Sequence, residues 1–184
     1  LSDLPLLKGA IPADLNGAYL RAGPNPRFAP IGRYHPFDGD GMVHAAIFRQ
    51  GRLTVRNRWI RTDAFVEEAQ AGQACFHGIR ETLKGRSDKR LKDSGNTDVV
   101  GHGGRALALW YMAGQAWAFD PVTLRTLGPS DAIRASGGEI SAHAKVDEIT
   151  GEMMFFDYGL EPPYLHYGVV GADGALKLRT PVEL

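Results

Sequence analysis

Glu139-Ile-Ser-Ala-His-Ala-Lys-Val-Asp-Glu-Ile-Thr-Gly-Glu152 runs directly into Met153-Met-Phe-Phe-Asp-Tyr158. The first half reads as a strand that carries His143. Asp147 to Gly151 reads as a turn, and Met153 to Tyr158 as a second strand paired back on the first. A lone histidine in a strand is ordinarily structural. Two upstream segments change its weight: Phe37-Asp-Gly-Asp-Gly-Met-Val-His-Ala45 and Gly95-Asn-Thr-Asp-Val-Val100.

The same pattern of short apolar runs and turns extends both ways. Gly17 to Gly23 is a strand that stops at Gly23-Pro-Asn-Pro26, where proline removes ladder donors. Met42 to Arg49 and Arg52 to Arg61 form a hairpin across Gln50-Gly51. Thr97 to Val100, Ala106 to Met112 and Ala116 to Asp120 form a meander with turns at His102-Gly-Gly104 and Ala113-Gly114. Asp120 to Gly128 is a turn and strand. Tyr164 to Gly171 and Ala175 to Pro181 close the chain. The turns Asp120-Pro-Val-Thr-Leu124 and Asp147-Glu-Ile-Thr-Gly151 resemble each other and hint at a repeated hairpin. Residues 63–74 are the one short helix, capped by Asp63 and ended by Gly72. Residues 84–95 read as a solvated, mobile charge run.

Composition agrees with an all-β domain. The 184 residues include 23 Gly and 11 Pro, spread along the chain as turn punctuation. The formal net charge of +0 gives no basic face for nucleic acid. Cys75 stands alone, which excludes an internal disulfide. No run reaches the roughly 18 apolar residues of a membrane span. No secretory leader is visible, and the missing initiator methionine leads us to expect either a processed start or a piece of a longer chain.

The ordered segments resemble the carotenoid cleavage oxygenases. They are Gly17 to Pro26, Tyr34 to His44, Asn57-Arg-Trp-Ile-Arg-Thr62, Gly95 to Val100, Leu107-Ala-Leu-Trp110, Asp120 to Leu124 and Ser141-Ala-His-Ala-Lys-Val-Asp147. The resemblance covers the whole chain and implies that residues 1–184 are the N-terminal blades of one seven-bladed β-propeller domain with long loops. It implies Fe(2+) held by four histidines, O2 as co-substrate, and cleavage of a conjugated C=C bond to two carbonyl products. The implied substrate is a lipophilic carotenoid, apocarotenoid or stilbene-type molecule. Imidazole suits iron, and open coordination positions suit O2 chemistry. His143 matches the first iron ligand, and the other three are expected outside this chain, so the fragment alone is expected to be inactive. The expected location is the cytoplasm, with peripheral membrane contact. The alternative is a non-catalytic relative that binds a polyene or acts as a scaffold.

Two positions depart from the family pattern. Ala144 follows the histidine where proline is usual. Tyr111 stands where the family commonly carries a glutamate that accepts a hydrogen bond from an iron histidine. Losing such a partner costs roughly 10- to 100-fold in metal affinity or activity.

Other candidates read as structural. His35, His44, His102, His77 and His166 have no assigned ligand role, with His166 taken as a polar edge position of its strand. Asp38-Gly-Asp-Gly41 lacks the rest of a calcium loop, with Arg49 at the twelfth place. Gly101-His-Gly-Gly104 lacks the ending of a phosphate loop. Glu139 and Glu152 read as surface carboxylates able in principle to replace the missing acceptor. Ser141 and Cys75 have no base at a recognisable spacing.

Overall fold

The computed structural model describes residues 4–81, 91–112, 114–135, 139–159 and 161–183. Three antiparallel sheets account for the strands among them. The first is β1 (Gly17–Pro24), β2 (Gly41–Arg49) and β3 (Arg52–Trp59), in that order. The second is β4 (Asp98–His102), β5 (Arg105–Leu109), β6 (Trp117–Phe119) and β7 (Thr126–Pro129). The third comprises β8 (Lys145–Val146), β9 (Met153–Tyr158), β10 (Leu165–Val170) and β11 (Leu176–Pro181). Each is a meander of sequence neighbours, as expected for propeller blades.

Turn chemistry sets the register. Gln50 and Gly51 have φ of 49° and 72°, and Gly103 and Gly104 have 57° and 72°. Both pairs are left-handed, the two-residue hairpin geometry whose twist matches the flanking strands. The two resembling turns are built alike. The Asp120 side chain accepts from Val122 N and Thr123 N at 3.0 and 2.6 Å, and Asp147 accepts from Ile149 N and Thr150 N at 2.8 and 3.3 Å. Each ends in a left-handed residue, Leu124 or Gly151. One joins β6 to β7 and the other β8 to β9, so they share a turn type without marking a blade repeat.

The middle sheet is buried on both faces. Alternate residues of a strand point to opposite sides. Ala106 and Ala108 of β5, with Trp117 and Phe119 of β6, pack against Val43 and Ala45 of β2. Leu107, Leu109 and Ala118 instead meet Met153, Phe155 and Val170 of the third sheet. In the third sheet Gly168 faces Phe155, and a Cβ on it would lie 2.2 Å from that ring, so only glycine fits there.

Helix α1 (Asp63–Ala71) forms where expected, but its cap differs. Thr62 accepts from Phe65 N at 3.1 Å, so the N-cap lies one residue before Asp63, and Gly72 ends the helix at φ 69°. A second short helix, α2 (Asp131–Ala135), went unread in the sequence, and its Ile133 joins the core.

Part of the expected charge run at 84–95 lies outside the described residues, but Lys92 contradicts it. Its ammonium is inside the protein, 2.7 Å from Asp40 Oδ1 and 2.6 Å from Glu68 Oε2. Ser94 and Asn96 beyond it are buried. His166 is also not at an edge. It lies in β10, interior to its sheet, with Nδ1 2.9 Å from Asp157 Oδ1 and Arg179 close by.

Candidate metal-ligand site

Three separated segments converge beside β4. Asn96 Nδ2 donates to the carbonyls of Phe37 and Gly39 at 2.9 and 2.7 Å, and Gly41 N donates to Ser94 O at 3.0 Å. These bonds fix Phe37 to Ala45 against Gly95 to Val100. The third segment arrives at 139–144. Ile140 exchanges backbone bonds with Gly114, Ser141 N donates to Phe156 O at 2.9 Å, and Ala142 N donates to Trp110 O at 2.8 Å. Ser141 and Ala142 therefore bond alternately to the third and second sheets.

That sharing corrects the reading of His143 as a strand residue. A segment bonded alternately to two sheets forms no continuous ladder with either. His143 sits in the loop before β8, with φ of 75°. A left-handed histidine is uncommon, and such strain persists only where neighbours fix it. Here Asp98 fixes it. Asp98 Oδ2 accepts from the His143 backbone N–H at 3.0 Å and lies 3.4 Å from its Nδ1. Asp98 Oδ1 accepts from Val99 N at 2.8 Å, which orients the carboxylate. The His143 side chain is 67% exposed. Among the described residues Nε2 makes no hydrogen bond, so the ring offers that nitrogen outward. This donor arrangement fits one ligand of a histidine-bound metal. No group of three or more His, Cys, Asp or Glu is assembled for a metal among the described residues.

Tyr111 stands just beyond β5, with its ring 5.2 Å from that of Phe37. The Tyr158 hydroxyl donates to the Tyr111 carbonyl. Burial, then the negative charge of Asp38, raises the Tyr111 phenol above its ordinary pKa, so it stays neutral. The two carboxylates considered as replacements stand in different surroundings. Glu152 pairs with Lys177 at 2.7 Å. The Glu139 pKa is raised by partial burial and then by Asp157.

The remaining candidates have structural partners or none. His35 caps the 3-10 turn Pro36–Asp38, with Nδ1 accepting from Phe37 N at 3.2 Å. His44 is exposed on β2. Among the described residues, His77 Nδ1 and His102 Nε2 are buried without hydrogen-bond partners. Asp38 accepts from His35 N and Ile79 N at 2.8 and 2.9 Å, and Asp40 pairs with Lys92, so the Asp38 to Gly41 turn has no carboxylate spare for calcium. Sequence reasoning gave no role to Asp98, 45 residues from its partner. The available signal was a carboxylate opening the apolar run Val99-Val100.

Three propeller-type meanders define the class as β-propeller. The family model described as RPE65, retinal pigment epithelial membrane protein, matches residues 2–184, and this chain belongs to that family of carotenoid cleavage oxygenases. A carotenoid 9,10(9',10')-cleavage dioxygenase 1 of Phaseolus vulgaris is 37% identical over 99% of this chain and 37% of its own length. The apocarotenoid-15,15'-oxygenase of Synechocystis is 37% identical over 89% of this chain and 34% of its own length. Among solved structures, the lignostilbene dioxygenase of Pseudomonas brassicacearum superposes with a TM-score of 0.82 at 31% identity, covering 94% of this chain and 37% of that one. The chain thus spans a little over a third of the relatives it matches.

Proposed function

We propose that this chain is the N-terminal part of an iron(II)-dependent dioxygenase that cleaves a conjugated C=C bond of a carotenoid, apocarotenoid or stilbene-type substrate. One observation carries the reading. His143, at the family's first ligand position, is held in a left-handed conformation with its ring turned outward. A strained, exposed residue gripped by its neighbours is the pattern of a functional position. His143 would supply one imidazole, and three further histidines would come from outside residues 1–184. Bound iron would supply the site at which O2 is activated. The work of these residues is to hold His143 in place and to keep Nε2 free. A lipophilic substrate and peripheral membrane contact from the cytoplasm follow from the same reading.

The whole protein should copurify with iron and bleach a polyene only in the presence of O2. His143→Ala should remove both properties. The 184-residue chain alone should do neither, and turnover by this chain would overturn the proposal. Tyr111 favours a second reading, a polyene-binding relative without catalysis, because a neutral phenol replaces a carboxylate acceptor. An iron-free whole protein that shifts the polyene spectrum without consuming O2 would establish that reading.

A further inference from the structure

We propose that Asp98 is a positioning residue that selects the metal-binding form of His143, an inference resting on the assignment of His143 as a ligand. One oxygen, Asp98 Oδ2, meets two groups of the same residue: the backbone N–H at 3.0 Å and the ring Nδ1 at 3.4 Å. The backbone bond fixes a left-handed main chain that histidine does not adopt by preference. The ring contact places a carboxylate 3.4 Å from Nδ1, where its negative charge favours a proton on that nitrogen. A neutral imidazole carries one ring proton. With that proton on Nδ1, the lone pair is on Nε2, the nitrogen that faces away from Asp98.

The carboxylate is itself anchored. Asp98 begins β4, paired with Leu109, and its Oδ1 is engaged by Val99 N at 2.8 Å. It therefore cannot follow the ring if the loop moves. A carboxylate behind a ligating imidazole also raises the basicity of the ligand, and removing one costs roughly 10- to 100-fold in metal affinity.

The test reads the tautomer directly. Long-range proton–nitrogen NMR correlations of the histidine-labelled 184-residue chain would be recorded above the imidazole titration. The wild-type His143 ring should be protonated on Nδ1. Asp98→Ala should shift it towards the Nε2-protonated form and speed exchange of the His143 amide about tenfold, the loss of one net hydrogen bond. Asp98→Asn, which keeps an acceptor oxygen, should restore the amide protection and part of the tautomer preference. A wild-type ring protonated on Nε2, or one unchanged in Asp98→Ala, overturns the proposal. The wild-type spectrum decides even if Asp98→Ala does not fold. Iron analysis of the whole protein separates the two claims. Iron with an Nε2-protonated ring sinks the role of Asp98 alone, whereas an iron-free protein with an Nδ1-protonated ring sinks the ligand assignment alone.

Discussion

At the scale of the residue, the main tension is at His143. Its left-handed φ of 75° costs about 1–2 kcal/mol for a residue with a Cβ. His143→Gly would relieve that strain but loosen the unfolded chain by about 0.5–1 kcal/mol and lose the ring contact with Asp98. The expected outcome is a thermal midpoint within about 3 °C of wild type, with iron lost from the whole protein. A large fall in the midpoint would mean that the imidazole is structural. Motif order alone singled out His143 and Tyr111 in the sequence. Asp98 was not, because its partner is 45 residues away and no local spacing encodes that contact. The conformation of His143 was misread for a related reason. Apolar alternation through Ile140, Ala142 and Ala144 looks like a strand, yet those side chains are buried from a segment bonded to two different sheets.

At the scale of the element, helix α1 is tied to the first sheet by charge inside the protein. Lys92 is 2.6 Å from Glu68 on α1 and 2.7 Å from Asp40, just before β2. Glu68 also accepts from Cys75 N at 3.0 Å, and Asp40 from Arg27 N at 3.0 Å. Removing the cation leaves two carboxylates facing each other with no counter-ion. Lys92→Met should therefore destabilise the chain by about 3–5 kcal/mol in urea melts. Replacing Asp40, Glu68 and Lys92 together by apolar residues should cost much less, and equal losses would refute the role of the unpaired charge. The helix itself was readable from Gly72 and the apolar spacing. Its cap was assigned one residue late, because Thr62 and Asp63 are both good caps and only the hydroxyl bond to Phe65 N distinguishes them. Lys92 was misjudged because its neighbours in sequence are charged, while its partners come from α1 and the start of β2.

At the scale of the whole molecule, the sheets were legible because hairpin chemistry is local, as at Gln50-Gly51 and Gly103-Gly104. Their stacking was not, since Leu107 and Ala108 are adjacent in sequence yet serve different interfaces. Near the second of these interfaces lies Asp93, whose Oδ2 accepts from Gln115 N at 2.9 Å and Trp117 Nε1 at 3.1 Å. Among the described residues, its Oδ1 is shut off from solvent and makes no hydrogen bond. Desolvation raises its pKa from 3.8 to about 6, against the lowering effect of those bonds and with a small further rise from Glu139. The folded chain thus holds a proton that the unfolded chain releases. Stability from Asp93 is full below about pH 4 and is lost as pH rises to about 6, by up to about 3 kcal/mol. Denaturation midpoints measured between those values should show this fall after subtraction of the Asp93→Asn curve. An identical slope in both proteins would rule it out.

The bond from Asp98 to residue 143 is made to the main chain as well as to the ring. That makes position 143 a socket as much as a residue. The peptide is presented in the same place whichever unbranched side chain it bears, so the side chain can be exchanged while its mounting stays. Choice of side chain at this corner is thereby separated from the folding of the blades that carry it.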